Sequence, residues 1–340
     1  MKIGRKKIGN GQPPLIVAEI GINHNGDGSL AMRMAEAAAV AGADAAKLQA
    51  FRTVRLLAGG NASLSHVSGS VHEFFHQMEL APRQFDRVAR ACHRCGILFI
   101  ATPFDEISAD MLVEAGIDSF KIASGDITHF PLLSHVGAKK IPVILSTGAA
   151  TIEEIRDAIR VLKQSGATDI CLLHCVSAYP APVEEMNLRA ITAMGKRFRI
   201  PVGLSDHTMG ITISLAAVAL GAALIEKHFT LSRQLPGPDQ KLSIEPGELH
   251  ELTQKAREIH SAMGNGKKVP MPSEAESRRQ GRRGLYLIRD IEAGEKIKAT
   301  DLAVLRPAAG LSPIFIKHLR GKRARRRLQA GRPLGPNDLA

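Results

Sequence analysis

Two short phrases, Leu204-Ser205-Asp206-His207 and Ile225-Glu226-Lys227-His228, each close an apolar run with a histidine. Imidazoles at the ends of neighbouring strands can hold one divalent metal and leave positions open for substrate oxygens. The chain has 13 histidines, so His207 and His228 gain meaning only from the residues around them. Glu19 ends the run Leu15-Ile16-Val17-Ala18; a carboxylate there reads as a general base for water or, equally, as a structural hydrogen-bond acceptor. Lys47 and Lys121 end otherwise apolar runs. An ammonium buried there is costly unless an anion pairs with it, the alternative being a side chain that snorkels to solvent. Thr102, Ser124, Ser146 and Ser205 add hydroxyls beside small residues, donors of the kind that surround phosphate and carboxylate oxygens. Together these groups imply a compact dianionic or trianionic ligand.

The elements that must position them follow a rhythm between Lys2 and Met263. An amphipathic helix stops at a small residue and glycine, and a short apolar strand follows, as at Ala41-Gly42-Ala43, Ala115-Gly116-Ile117, Ser165-Gly166-Ala167 and Leu220-Gly221-Ala222. Glycine is the expected helix stop because it accepts the left-handed conformation. The pattern predicts strands over 15–20, 45–49, 97–101, 119–123, 142–146, 170–174, 200–204 and 223–227, alternating with helices. Eight strand–helix units within about 260 residues predict a closed (β/α)8 TIM barrel rather than an open doubly wound sheet. In such barrels chemistry sits at the C-terminal strand ends, and each predicted strand delivers hydrogen-bonding or charged groups there. Those ends include Glu19, Lys47-Leu48-Gln49, Thr102, Lys121 through Ser124, Ser146-Thr147, His174 through Tyr179, Ser205-Asp206-His207 and Glu226-Lys227-His228.

Length and charge set the rest of the organisation. A chain of 340 residues exceeds what one growing core accommodates, so a large domain with a small companion is expected. We read residues 1–265 as the barrel domain, 266–283 as a linker and 284–340 as a small C-terminal domain. The net charge of +12 is concentrated in the tail: residues 266–340 carry 18 Lys+Arg against 7 Asp+Glu, leaving 27 against 26 before them. Runs such as Arg278-Arg279 and Arg325-Arg326-Arg327 could contact nucleic acid, yet the region lacks interleaved aromatics beyond Tyr286 and Phe315, zinc-site spacing and a reading helix, which argues for a solvated basic face. Cys92 and Cys95 sit at a helix end, and Cys171 and Cys175 in a buried strand, so all four read as packed free thiols. Glu19 ends the first apolar run too early for a signal peptide, and Leu215–Ile225 is too short to span a bilayer. A soluble, cytoplasmic protein with no membrane role is expected.

The motifs Ala18-Glu19-Ile20-Gly21-Ile22-Asn23-His24-Asn25-Gly26, Lys121-Ile122-Ala123-Ser124-Gly125, Leu145-Ser146-Thr147-Gly148, Gly203-Leu204-Ser205-Asp206-His207-Thr208 and Lys227-His228-Phe229-Thr230, then Gly237-Pro238-Asp239, resemble the sialic acid synthase family. The match runs through nearly the whole chain in order. The tail, with Leu305-Arg306-Pro307 and Gly331-Arg332-Pro333, resembles the antifreeze-like (SAF) domain that ends these synthases. The resemblance implies a transferase that condenses phosphoenolpyruvate with an N-acetylmannosamine-type sugar to a nine-carbon 2-keto acid and phosphate. It implies a divalent metal, Mn2+ or Mg2+, on His207 and His228, with Glu19 and Asp239 as catalytic carboxylates, Asp239 lying near the metal and sugar hydroxyls. It implies phosphoenolpyruvate on Lys47, Thr102, Lys121, Ser124, Ser146, Tyr179 and Ser205. It further implies a homodimer whose C-terminal domain lies over the partner's barrel, so that Arg306 grips the sugar, with Ser177 as a further sugar-side residue. Ser177 stands where the simplest members have asparagine, and Ser124 through Pro131 looks more like the legionaminic branch, whose acceptor is a 2,4-diacetamido-6-deoxy hexose. Another phosphoenolpyruvate-dependent synthase of 3-deoxy sugar acids, and a nucleic-acid-binding protein with a basic tail, are the competing functions.

Overall fold

The computed structural model describes residues 1–9, 11–58 and 70–340. A small hairpin, β1 (Lys2–Ile3) and β2 (Lys6–Lys7), precedes eight parallel strands: β3 (Leu15–Gly21), β4 (Ala45–Ala50), β5 (Leu98–Pro103), β6 (Ser119–Ile122), β7 (Val143–Ser146), β8 (Ile170–Cys175), β9 (Val202–Asp206) and β10 (Leu224–His228). They close into one barrel, with β10 pairing β3 from Leu224↔Leu15 to His228↔Glu19. The predicted (β/α)8 architecture is therefore present. Strand boundaries differ from the expected ones by one or two residues: β9 starts at Val202 and runs on to Asp206, because backbone pairing with β10 continues through Lys227↔Asp206.

Alternation along each strand sorts the side chains into two layers. Outward residues such as Ala18, Ile20, Leu48, Phe99, Phe120, Leu145, Leu204 and Ile225 pack under the helices in the main core. Inward residues Leu15, Val17, Ala45, Leu98, Ile100, Ile144, Cys171, Leu173 and Leu224 fill the lower barrel, where Ile3 and Ile8 of the hairpin segment join them. The hairpin, which no sequence pattern announced, thus stops the bottom of the barrel with apolar side chains. Polar groups begin above this packed layer.

The connections obey local rules. Asp27, Asp105 and Thr151 cap the helices 28–40, 106–114 and 152–164, each side chain accepting a backbone N–H of the first turn. Gly42, at φ 89°, follows the first of these in the left-handed region. Gly203 is required for a different reason: a Cβ there would lie 2.3 Å from the Leu224 carbonyl oxygen, so β9 can approach β10 only without a side chain.

The chain divides into two compact units, Met1–Gly264 and Asn265–Ala340. The interval 266–283 contains a short helix, Ala275–Gly281. In the second unit β11 (Gly284–Leu287) pairs antiparallel with β12 (Leu302–Leu305), over a core of Leu285, Leu287, Ile291, Ile297, Leu319, Leu328 and Leu334. Part of its basic charge is answered internally: Arg326 and Arg332 both pair with buried Asp338, and Arg289 with Asp301 and Glu295. Among the described residues no helix is long and apolar enough to cross a membrane.

Candidate active site

At the C-terminal ends of the strands lies a cavity of about 320 Å³. Its wall brings together Glu19, Lys47, Thr102, Lys121, Ser124, Ser146, Ser177, Tyr179, Ser205, His207 and His228, residues spread over most of the barrel's sequence. Asp239 is beside it rather than in its wall, at the start of the turn Gln240–Leu242, with Oδ2 3.8 Å from His228 Nδ1. Arg306 belongs to the second unit, where it directly follows β12 and is exposed. His174 faces away from the cavity and binds the Met186 carbonyl through Nε2 at 2.7 Å.

The floor of the cavity is ionic. Lys47 Nζ lies 3.0 Å from Glu19 and 3.2 Å from Glu226, and Lys121 Nζ lies 3.6 Å from Glu226. All four side chains are almost fully buried. The expectation that the lysines depend on an external anion is thereby corrected: the protein supplies two carboxylates for two ammoniums. Glu226 was not assigned a role in the sequence, although it sits two residues before His228 and so must face the same way along the strand. Ser205 is committed to this cluster too, its hydroxyl donating to Glu226 at 2.8 Å.

The two carboxylates differ. Burial raises the pKa of both. At Glu226, Lys121, Lys47 and the Ser205 hydroxyl outweigh it and hold the carboxyl well below the usual range. At Glu19 burial wins over Lys47, with Glu226 adding repulsion, and the carboxyl is pushed up to about 7. Glu226 is thus the permanent charge and Glu19 the group that exchanges a proton near neutrality. Gln49 steadies Glu19 from β4, its Nε2 lying 3.4 Å from Oε1.

Above this floor the polar groups have spare capacity. Ser146 Oγ is buried without a hydrogen-bond partner, and Ser124 Oγ accepts the Gly148 N–H at 2.9 Å. The imidazoles of His207 and His228 have ring centres 5.4 Å apart, with the Tyr179 ring 4.2 Å from the first and 5.9 Å from the second. His207 Nδ1 lies 3.0 Å from the Val176 carbonyl and donates to it, so the neutral ring has its lone pair on Nε2; against burial, Cys175 and the Val176 carbonyl raise this ring's pKa. His228 Nδ1 is buried with no hydrogen-bond partner, and burial, then His207 and Lys47, hold this ring's pKa well below the ordinary value. The donor set fits a divalent cation: two nitrogen donors at one mouth, one of them orphaned. Among the described residues there is no group of three or more His, Cys, Asp or Glu that could hold a metal ion. Cys175, read from the sequence as a packed thiol, and Phe104, which has no role assigned from sequence, also line the wall.

A family model described as the NeuB family matches residues 34–268. The chain belongs to the NeuB family. A second model, the SAF domain, matches residues 282–340. The NeuB chain is 42% identical over 316 residues to the N,N'-diacetyllegionaminic acid synthase of Campylobacter jejuni, covering 91% of this chain and 95% of that one. It is 38% identical over 341 residues to the protein of the same name from Legionella pneumophila, covering 97% and 96%. Among solved structures, an N-acetylneuraminic acid synthetase from Leptospira borgpetersenii, in complex with citrate, superposes with a TM-score of 0.75 at 39% identity, covering 82% of this chain and 94% of that one. The motifs from Lys121 to Asp239 by which the sequence resembled sialic acid synthases lie inside the NeuB match, and Ala18–Gly26 lies before it; this NeuB-family chain is an enzyme of the transferase-type synthase class.

Proposed function

We propose that this chain condenses phosphoenolpyruvate with a 2,4-diacetamido-6-deoxy-mannose type of sugar, in preference to N-acetylmannosamine, giving a nine-carbon legionaminic-type acid and phosphate. The observation that carries the reading is the cavity itself. One small polar chamber combines two buried ammoniums, unsatisfied hydroxyl capacity and two imidazoles at the end of an otherwise apolar barrel. The names of the Campylobacter and Legionella relatives support the choice of sugar.

In this reading Lys47, Lys121, Ser124 and Ser146 bind the phosphate and carboxylate of phosphoenolpyruvate, with Thr102, Tyr179 and Ser205 around it. The incoming anion competes with Glu19 for Lys47, and Glu19, with its raised pKa, is the carboxylate that yields; Glu226 stays and keeps both lysines charged. C3 of phosphoenolpyruvate forms a bond to the sugar's aldehyde carbon, and water adds at C2. Glu19 takes one proton from the water, and the sugar's alkoxide oxygen, formed as the aldehyde π bond opens, takes up a proton in turn. The C2–O bond to phosphate then breaks as the new C2 hydroxyl gives up its proton to the departing phosphate, leaving the 2-keto group and inorganic phosphate. His207 and His228 would hold a divalent cation, Mn2+ or Mg2+, which supplies Lewis acidity toward the aldehyde oxygen. Ser177 and Asp239 would face the sugar. Arg306 would reach it from the SAF domain of a partner subunit in a homodimer, where its planar guanidinium suits a carboxylate or acyl oxygen. We place the enzyme in the cytoplasm.

The test is phosphate release from phosphoenolpyruvate with Mn2+, comparing N-acetylmannosamine, its 6-phosphate and the 2,4-diacetamido sugar, each with and without chelator. Release with the diacetamido sugar that chelator abolishes is expected; turnover with N-acetylmannosamine alone reverses the sugar assignment. Mixing inactive Glu19→Gln protein with inactive Arg306→Ala protein tests the shared site, since heterodimers regain activity only if Arg306 serves the other subunit.

A further inference from the structure

Asp206 and Lys227 lie one position before His207 and His228. They face outward from the barrel, are register partners across β9 and β10, and form an ion pair of 3.0 Å with both side chains at most 1% exposed. Around them at the rung below are the apolar Leu204 and Ile225. The pair is tied into the loop that leaves His207. Asp206 Oδ1 accepts the Thr208 N–H at 2.9 Å and the Thr208 hydroxyl at 2.8 Å, Oδ2 accepts the Ser214 hydroxyl at 2.5 Å, and Lys227 Nζ donates to the Thr208 carbonyl. Every polar group of Thr208, the residue directly after His207, is therefore held by the pair. His228 is fixed from its other side, its carbonyl accepting the Ile244 N–H at 2.8 Å while the next residue, Phe229, donates to the Glu19 carbonyl at 2.7 Å.

Two charges out of water in an apolar layer are a poor device for stability, since apolar side chains of similar volume commonly serve as well or better. What an ion pair with fixed hydrogen bonds adds is direction. We infer that Asp206 and Lys227 are a positioning pair that sets the placement of the two imidazoles, and with it the affinity of the site for a divalent cation. The cation part rests on the proposed reading of His207 and His228 as metal ligands. Neither Asp206 nor Lys227 enters the cavity, so they act through the backbone that carries the histidines.

The experiment compares wild type, Asp206→Asn, Lys227→Met and the double variant Asp206→Asn/Lys227→Met. Single variants leave one buried charge unpaired and are expected to melt early, so the double variant, which removes both charges, carries the test. It is expected to melt within a few degrees of wild type yet bind Mn2+, measured as free ion by electron paramagnetic resonance, about 10–100-fold more weakly, as for lost groups behind metal ligands. A double variant that binds Mn2+ within about twofold of wild type, inside the range where such losses are negligible, overturns the inference. A second readout is independent of metal. In protein labelled with 15N-histidine, the His207 and His228 ring resonances, assigned through His207→Ala and His228→Ala, are expected to shift in the double variant; unshifted rings overturn the positioning role. Wild type that binds no Mn2+, or His207→Ala/His228→Ala protein that binds it normally, refutes the metal reading instead, and the ring resonances then decide the pair by themselves.

Discussion

Replacing Glu226 by glutamine probes the ionic floor most directly. The side chain is 5% exposed and, among the described residues, is the carboxylate that pairs with both lysines, at 3.2 Å from Lys47 and 3.6 Å from Lys121, with a further hydrogen bond from Ser205. The substitution keeps the shape and removes the charge, leaving Lys47 with Glu19 and Lys121 buried without its ion-pair partner. Breaking a buried pair from one side costs about 3–5 kcal/mol. At about 2–4 °C per kcal/mol for a domain near this size, the barrel transition should fall by about 6–20 °C. Calorimetric melting of the full chain measures it. Adding Lys121→Met to Glu226→Gln should recover most of the loss, because the surplus charge goes with it. A Glu226→Gln protein that melts within about 1 °C of wild type would behave like an exposed pair, and would refute the dry, charge-balanced floor described above.

Other predictions follow from named contacts. Since the Glu19 carboxyl is pushed up to about 7, the form able to accept a proton grows as pH rises through that value; kcat/KM for phosphate release should climb on the same limb, and Glu19→Gln should abolish turnover without abolishing phosphoenolpyruvate binding. For folding the sign is opposite: the native state holds this proton more tightly than the unfolded chain, so Glu19's contribution to stability declines between the ordinary carboxylate pKa and about 7, a slope that should flatten in Glu19→Gln melts. A Cβ at Gly148 would lie 2.2 Å from Ser177 Oγ and 2.8 Å from Ser124 Oγ, both movable side-chain tips, so Gly148→Ala should fold normally while raising KM for phosphoenolpyruvate or the sugar. Ile3→Ala, at a fully buried position of the barrel stopper, should cost about 2–5 kcal/mol in denaturant melts.

Much of this molecule can be read from its sequence because the barrel repeats one local rule. Glycine stops such as Gly42 and apolar runs such as Leu15–Ala18 locate the strands, and polar residues at their ends locate the mouth. Parity along the strand carries further than motif spacing does: counting back two from His228 reaches Glu226, and counting back one reaches Lys227, which faces the opposite layer. What sequence could not supply was pairing across strands. That Lys47 meets Glu19 and Glu226 depends on β3 and β10 being neighbours, with 207 positions between the two glutamates in the chain, so the lysines read as waiting for a ligand. The hairpin at Lys2–Lys7 carries no sequence signal because strands of two residues have no periodicity, and the helix Ala275–Gly281 carries none because a single polar stretch presents no apolar face.

The stopper also dictates traffic. With Ile3 and Ile8 clustered with Leu15, Val17 and Leu98 at the base, the lower end of the barrel is filled by apolar side chains among the described residues. Any ligand of Lys47 and Lys121 would therefore come and go from the C-terminal side of the strands, where His207 and His228 also line the cavity.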